Sequence, residues 1–120
     1  MAEPEGTNVE DLATDRVSVL EELVTVAEGA IVSRVLARSS GGNVTLFAFD
    51  GGQGLSEHTA PFDALVQVVS GRLDLTIGEA KHSLGAGEII RMPADIPHSL
   101  HAPEPARMLL TMLREKKSEE

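Results

Sequence analysis

A chain of 120 residues, 42% of them hydrophobic, is long enough for one domain with a packed core. Only 2% of the residues are aromatic, which argues against a base-stacking surface for single-stranded nucleic acid. The net charge of −9 argues against a nucleic-acid backbone as partner, and the absence of cysteine excludes disulfides, thiolate nucleophiles and zinc–thiolate sites.

Charge patterning divides the chain into three parts. The first fifteen residues hold five acids and no base, which predicts a disordered acidic tail over residues 1–15. A single folded domain is expected over residues 16–114, followed by a solvated tail over residues 115–120. Neither a signal peptide nor a run of about eighteen apolar residues is found, so we expect a cytoplasmic protein without a membrane partner.

Residues 17–29, with the sequence VSVLEELVTVAEG, allow two interpretations. Ser18 and Glu21 have the spacing of a helix capping box, and three apolar residues follow a helical stripe. The valine content equally favours a strand. The segment is therefore expected to form either a short helix or an arm that packs on a sheet.

After Gly29 the pattern indicates β-strands. Residues 31–38 and 44–49 flank SSGGN, a composition that predicts a hairpin turn. In the second of these strands Phe47 and Phe49 lie on one face and aliphatic residues on the other. Both faces are apolar, so both are expected to be buried.

Residues 72–77, RLDLTI, alternate strictly between polar and apolar side chains, which predicts a strand with Leu73, Leu75 and Ile77 facing inward. Further short strands are expected at residues 64–69, 81–84, 87–92, 98–102 and 107–113. Pro93, Pro97, Pro103 and Pro105 are confined to the connections between them. Many short strands without β–α alternation predict an all-β sandwich or barrel of the jelly-roll type.

Two segments of this β region carry spaced glycines and histidines: EHTAPFDALVQVVSG at residues 57–71 and GEIIRMPADIPHSLHA at residues 87–102. They resemble the two motifs of small, single-domain, RmlC-like cupins, G-x5-H-x-H-x3-4-E-x6-G and G-x5-P-x-G-x2-H-x3-N. The matching residues are His58 and Gly71 in the first motif, and Gly87, Pro93 and His98 in the second. The resemblance implies a double-stranded β-helix, a jelly-roll barrel.

The chain departs from each motif at two positions. Ala60 stands where the family has its second histidine, and Ala64 stands where it has a glutamate. In the second motif, Asp95 replaces a glycine and Ala102 an asparagine. The metal-binding part of the first motif is therefore interpreted as degenerate.

The resemblance implies only part of a metal site. In metal-binding cupins three histidines and one carboxylate converge inside the barrel, and only His58 and His98 carry over. Zinc in catalytic sites commonly has three protein ligands, and non-haem iron has two histidines and a carboxylate. A divalent Zn, Fe, Mn or Ni ion would need a further ligand here. Asp63 is a candidate only if a bulge near Pro61 turns it inward, because strand parity otherwise directs it to the opposite face.

Ala60 and Ala64 leave space where the family has long polar ligands. Together with Val66 they predict a small, mostly apolar pocket whose polar contacts are His58 and His98, a composition typical of small-molecule sites. Two other interpretations stay open. The histidines are structural, bonded to each other, to backbone or to water. Alternatively a methionine fills the space, the candidates being Met92, Met108 and Met112.

Three functions follow as hypotheses. The first is a protein that binds or senses a small organic molecule, and the second is a metal-dependent enzyme of dioxygenase, isomerase or lyase type that uses His58, His98 and a third ligand. The third is a structural dimer without a ligand. The resemblance implies a homodimer formed by sheet packing, and the outward face formed by Leu65, Gln67 and Val69 favours a covered surface.

Overall fold

The computed structural model describes residues 11–114; the expected tail at residues 115–120 and the first ten residues of the expected acidic tail lie outside that range. The described residues form a short 3₁₀ helix, Leu20–Leu23, and nine β-strands. The strands are β1 Ile31–Ser39, β2 Gly42–Phe49, β3 Gly54–His58, β4 Asp63–Ser70, β5 Arg72–Ile77, β6 Ala80–Gly85, β7 Ile89–Met92, β8 His98–His101 and β9 Ala106–Leu113. No helix within residues 11–114 is long and apolar enough to cross a lipid bilayer.

The nine strands form two antiparallel sheets. The five-stranded sheet has the order β1-β2-β9-β4-β7, and the four-stranded sheet has the order β3-β8-β5-β6. Strands β3 and β4 follow each other in the chain and belong to different sheets, as do β7 and β8. These crossings produce the jelly-roll topology, and the predicted all-β architecture is confirmed.

The main core lies between the sheets and is built from aliphatic side chains. The alternation in β5 buries Leu73 and Leu75 fully, and β4 contributes Val66 and Val68 in the same way. Phe49 is the one phenylalanine fully buried in this core. Burial of each large apolar side chain stabilises the fold by about 1.5–3 kcal/mol, so these side chains substitute for the missing aromatics.

A second apolar cluster lies on the outer face of the five-stranded sheet. Strand β2 has both faces covered, as its sequence predicts: Phe47 and Phe49 point into the barrel, while Leu46 and Ala48 belong to the outer cluster. The cover comes from the ambiguous segment that precedes β1. This segment contributes Leu20, Leu23, Val24 and Val26 to the outer cluster, and Leu12, which precedes it, packs there as well.

The covering segment combines both of the forms that its sequence allows. It makes one 3₁₀ turn and then runs extended through Val24. Val19 is the residue at the N-cap, and no side chain caps the turn, so the capping box expected from Ser18 and Glu21 does not form. Apolar packing on the sheet, rather than helix capping, holds the segment in place.

The folded domain begins earlier than residue 16. The Leu12 N–H donates to the Leu36 carbonyl at 2.7 Å, and the Asp11 carboxylate lies 3.1 Å from Nη2 of Arg38. Leu12 is also part of the outer cluster. Asp11 and Leu12 therefore contact strand β1, although the acidic composition of residues 1–15 predicts a tail there.

Candidate functional site

Strand pairing places His58 beside His98. His58 ends β3 and His98 begins β8, and their Cα positions are partners in the antiparallel ladder. The pairing is irregular between Leu55 and His58. Across the four-stranded sheet, His98 is also the partner of Ile77, so the two histidines and Ile77 form one row at the end of the barrel.

The two imidazole rings are in direct contact. Their Nε2 atoms lie 3.1 Å apart, and the ring planes meet at 71° with centroids 4.3 Å apart. His98 is buried, with only 6% of its surface exposed, whereas His58 is exposed. The His98 ring therefore lies in the barrel interior, and the His58 ring in contact with it lies at the surface.

Backbone carbonyls fix the orientation of both rings. Nδ1 of His58 lies 2.7 Å from the Ser56 carbonyl oxygen, and Nδ1 of His98 lies 3.1 Å from the Ile96 carbonyl oxygen. A carbonyl only accepts, so we assign the Nδ1 atom of each ring as an N–H donor. The Nε2 atoms of two neutral rings would then face each other with lone pairs. Their contact is favourable only when a proton, a ligand donor or a cation lies between them.

The pair meets part of the requirement for a metal. Two Nε2 ligands at about 2.0–2.1 Å from one ion lie roughly 2.9 Å apart at a right angle and roughly 3.3 Å apart at the tetrahedral angle. The observed separation of 3.1 Å falls between these values. Within residues 11–114, however, no third His, Asp or Glu joins a group that could hold an ion. The donor set is therefore short of what zinc or non-haem iron usually has.

Asp63 makes its contacts away from the histidines. Its Oδ2 atom accepts from Nε of Arg91 at 2.8 Å, and Nη2 of Arg91 is 2.6 Å away. Its Oδ1 atom accepts from the Ala94 N–H at 2.9 Å. The Arg91 guanidinium and the Ala94 N–H hold the pKa of Asp63 below its ordinary value of 3.8. Both carboxylate oxygens are thus engaged on the side of β4 that parity predicts.

The alanines that suggested a pocket have different surroundings. Ala64 and Val66 are buried in the main core, and Ala60 is half-buried with its carbonyl accepting from the Asp95 N–H at 2.7 Å. In the five-stranded sheet Ala64 has two cross-strand partners. These are Met92 on β7, which is buried, and Met112 on β9, which packs at the margin of the core. The space beside Ala64 is therefore bordered by two flexible methionine side chains.

Comparison with known proteins identifies the family. Residues 45–112 match the family model described as a cupin domain. The chain belongs to the cupin family. None of the curated proteins matches this cupin significantly.

Solved structures share the fold of this cupin over most of its length. A conserved protein of unknown function from Streptococcus pyogenes is 31% identical, with a TM-score of 0.85 over 92% of this chain and 97% of that one. A cupin superfamily protein from Desulfitobacterium hafniense is 25% identical, with a TM-score of 0.82 over 91% and 100%. A cupin 2 conserved barrel domain protein from Leptotrichia buccalis is 34% identical, with a TM-score of 0.75 over 78% of this chain and 46% of that one.

The motif glycines of this cupin mark positions of left-handed backbone. Gly71 has φ of 77° and Gly87 has φ of 88°. A Cβ at Gly71 would overlap the Pro105 carbonyl oxygen, whereas a Cβ at Gly87 would meet nothing within 4 Å. Asp95, which replaces a motif glycine, keeps the same type of backbone with φ of 64°. Aspartate is among the residues that tolerate this region, so the turn survives the replacement.

Two polar residues inside the barrel were not anticipated. Asn43 and Thr45 share a strand face with Phe47 and Phe49, and Thr45 is only 7% exposed. The Thr45 hydroxyl lies 3.4 Å from Oδ1 of Asn43. The sequence SSGGN predicts a turn, so Asn43 is assigned to that turn and not to a strand. The signal that could have placed it in β2 is its spacing of two and three alternate positions from Phe47 and Phe49, which puts it on their face. Asn43 pairs with Met112, which is also the partner of Ala64, so Asn43 and Ala64 lie in one row of the five-stranded sheet.

The two other histidines of this cupin do not join the pair. His101 is exposed, three residues beyond His98 and therefore on the opposite face of β8. His82 is exposed on β6, the edge strand of the four-stranded sheet, although it shares a face with the buried Leu84. An edge strand leaves even an inward-facing side chain open to solvent.

Proposed function

We propose that this cupin binds or senses a small organic molecule through His58 and His98, without a resident redox metal. The observation that carries the proposal is the 3.1 Å approach of two Nε2 atoms whose Nδ1 atoms are already bonded to carbonyls. Two unprotonated Nε2 atoms both accept and neither donates, so the pair requires a proton or a donor group beside both nitrogens. A ligand ammonium group would donate to both, and a ligand hydroxyl would donate to one of them.

The surroundings of the pair support a small-molecule site. His58 is exposed and His98 is buried beside it, so a ligand that arrives from solvent would contact the His58 ring first and the His98 ring behind it. Ile77, the partner of His98, provides apolar surface on the four-stranded sheet, and Ala64 provides it on the five-stranded sheet, where Asn43 adds an amide in the same row. A few polar groups within an apolar lining are the usual composition of such sites.

The test is ligand screening by NMR with histidine ring signals as the readout. The probes are hydroxylated metabolites, amines and amino acids added to metal-free protein. We expect a saturable shift of the His58 and His98 Cε1–H signals that is lost in His58→Ala and kept in His82→Ala, the matched exposed histidine. If no probe moves these signals, or if His58→Ala binds as well as wild type, the proposal fails.

A metal-dependent cupin enzyme is the second candidate, with His58, His98 and a ligand from elsewhere. The Nε2 separation favours it, since 3.1 Å suits two adjacent positions on one ion. Elemental analysis of untagged protein, before and after incubation with Zn, Fe, Mn or Ni salts, decides between the candidates. About one equivalent of tightly held metal would support the enzyme and overturn the metal-free proposal, while no retained metal would remove the enzyme.

We also propose that two chains pair through the part of the outward face of β4 and β7 around Gln67 and Ile89, which leaves Arg91 at the end of β7 accessible. Val69 on that face already packs against the outer cluster of its own chain, so a second chain would cover only the rest of the face. Leu65 is half-buried and Ile89 is 57% exposed, which leaves an apolar strip. Light scattering should give twice the chain mass, and Ile89→Glu should lower it while Ile96→Glu should not. A dimer that binds no ligand would favour a structural role.

A further inference from the structure

A cavity lies at the outer rim of the five-stranded sheet, and neither His58 nor His98 lines it. Its volume is about 280 Å³, and its lining includes Phe62, Asp63, Arg91 and Arg114. The cavity is formed by the start of β4, the end of β7 and the residue that follows β9. It brings two guanidinium groups and one carboxylate together in a chain whose net charge is −9.

Both oxygens of the one carboxylate in this cavity, that of Asp63, accept hydrogen bonds within the protein. Asp63 accepts from Arg91 through Oδ2 and from the Ala94 N–H through Oδ1. Arg91 donates from Nε and Nη2, while its Nη1 group makes no hydrogen bond within the described residues. The Arg91 side chain stays 67% exposed. Asp63 thus orients Arg91 and leaves some of its five N–H donors available.

The second guanidinium is held by an aromatic ring. Cζ of Arg114 lies 5.3 Å from the centroid of Phe62, a cation–π contact. Within residues 11–114 no carboxylate lies within ion-pair distance of the Arg114 guanidinium. The cavity lining therefore carries two positive charges against one negative charge, with more N–H donors than acceptors.

We infer that this cavity binds a small oxyanion, a carboxylate or a phosphate group, between Arg91 and Arg114. A guanidinium presents paired N–H donors that match two oxygens of such a group. The volume of about 280 Å³ is at the lower end of small-molecule sites, which restricts the ligand to a compact acid. This site is independent of the histidine pair and of the function proposed for it.

NMR titration of the full-length, ¹⁵N-labelled protein tests the inference. Sodium acetate and sodium phosphate are the two probes, each balanced with sodium chloride so that the ionic strength stays constant. We expect saturable shifts of the Arg91 and Arg114 Nε–H signals with at least one probe, and the tighter probe identifies the oxyanion. Arg114→Gln should weaken binding at least tenfold, because it removes a charge-assisted hydrogen bond.

Two further variants complete the experiment. Arg91→Lys keeps the charge but removes the two-pronged guanidinium, so we expect weaker binding together with a small decrease in melting temperature from the lost Nε contact with Asp63. Arg38→Gln is the matched control, since Arg38 is an exposed arginine paired with Asp11 on another part of the sheet. Shifts that do not saturate with either probe, full affinity in Arg114→Gln, or an equal loss in Arg38→Gln would each overturn the inference.

Discussion

Asp63 and Arg91 form an ion pair across neighbouring strands, with Oδ2 2.6 Å from Nη2 and 2.8 Å from Nε. Arg91 is the ladder partner of Leu65, so Asp63 is its diagonal neighbour on the outward face. The guanidinium stabilises the charged carboxylate and lowers the pKa of Asp63. This contact directs Asp63 away from the histidines.

The ion pair predicts a specific dependence of stability on pH. Because the pKa of Asp63 is lowered by folding, its stabilisation is present above the ordinary value of 3.8 and is lost as pH falls through the lower, folded value. Wild type should therefore exceed Asp63→Asn in free energy of unfolding at pH 7, with a smaller difference at about pH 2.5. Urea denaturation at both pH values measures this difference in free energy of unfolding. Glu79→Gln, an exposed control, should show no such change, and a constant difference for Asp63→Asn would contradict the prediction.

Removing His98 should destabilise the protein more than removing His58. His98→Ala removes the donor to the Ile96 carbonyl and opens space in the interior where the buried ring lies, at a cost of about 1–3 kcal/mol. His58 is exposed, so solvent can replace its contacts and His58→Ala should cost less than about 1 kcal/mol. Urea unfolding of both variants compares the two losses; equal losses would show that the buried position of His98 does not matter.

Restoring the family's ligands should restore metal affinity. We expect Ala60→His combined with Ala64→Glu to bind zinc or manganese at least tenfold more tightly than wild type, because two donors join His58 and His98. The apo form should lose stability, since Ala64 is buried and a carboxylate there is desolvated. Competition with a coloured chelator measures the affinity. Ala60→Gln with Ala64→Gln is the control, and unchanged affinity in the first variant would show that the motif alignment is wrong.

Gly71 and Gly87 should differ in their response to the same substitution. Both have positive φ, so an alanine is strained at either position by about 1 kcal/mol. At Gly71 the added methyl group also overlaps the Pro105 carbonyl oxygen, while at Gly87 the space is open. Gly71→Ala should therefore lower the free energy of unfolding by at least about 2 kcal/mol. A comparable loss in Gly87→Ala would mean that the steric contact is irrelevant.

Arg107 should control the order of the covering segment. It donates from Nε to the Val24 carbonyl at 3.1 Å and from Nη1 to the Ser70 hydroxyl at 3.3 Å, with Glu21 3.7 Å away. Arg107→Ala should increase amide hydrogen exchange over residues 20–26, with little change in β5. Arg72→Ala is the control, because Arg72 bonds Ser83 on the other sheet. Unchanged exchange over residues 20–26 would show that apolar packing alone holds the segment.

Local patterns determined much of this fold. The alternation in RLDLTI was sufficient to predict the inward side of β5, and the two apolar faces of β2 were sufficient to predict cover on both. Motif spacing selected His58 and His98 from four histidines. These features depend on side-chain period and turn chemistry, which act over a few residues.

Tertiary structure alone decided the contacts between segments far apart in the chain. The approach of His58 to His98, the orientation of Asp63 by Arg91 and the cover that Leu12 and Val24 provide all depend on which strands pair and in which register. Local composition carries no information on such pairing, and it misassigned Asn43 to a turn and Leu12 to a tail. Strand parity determines which face a side chain occupies, but only the folded neighbours determine what it meets there.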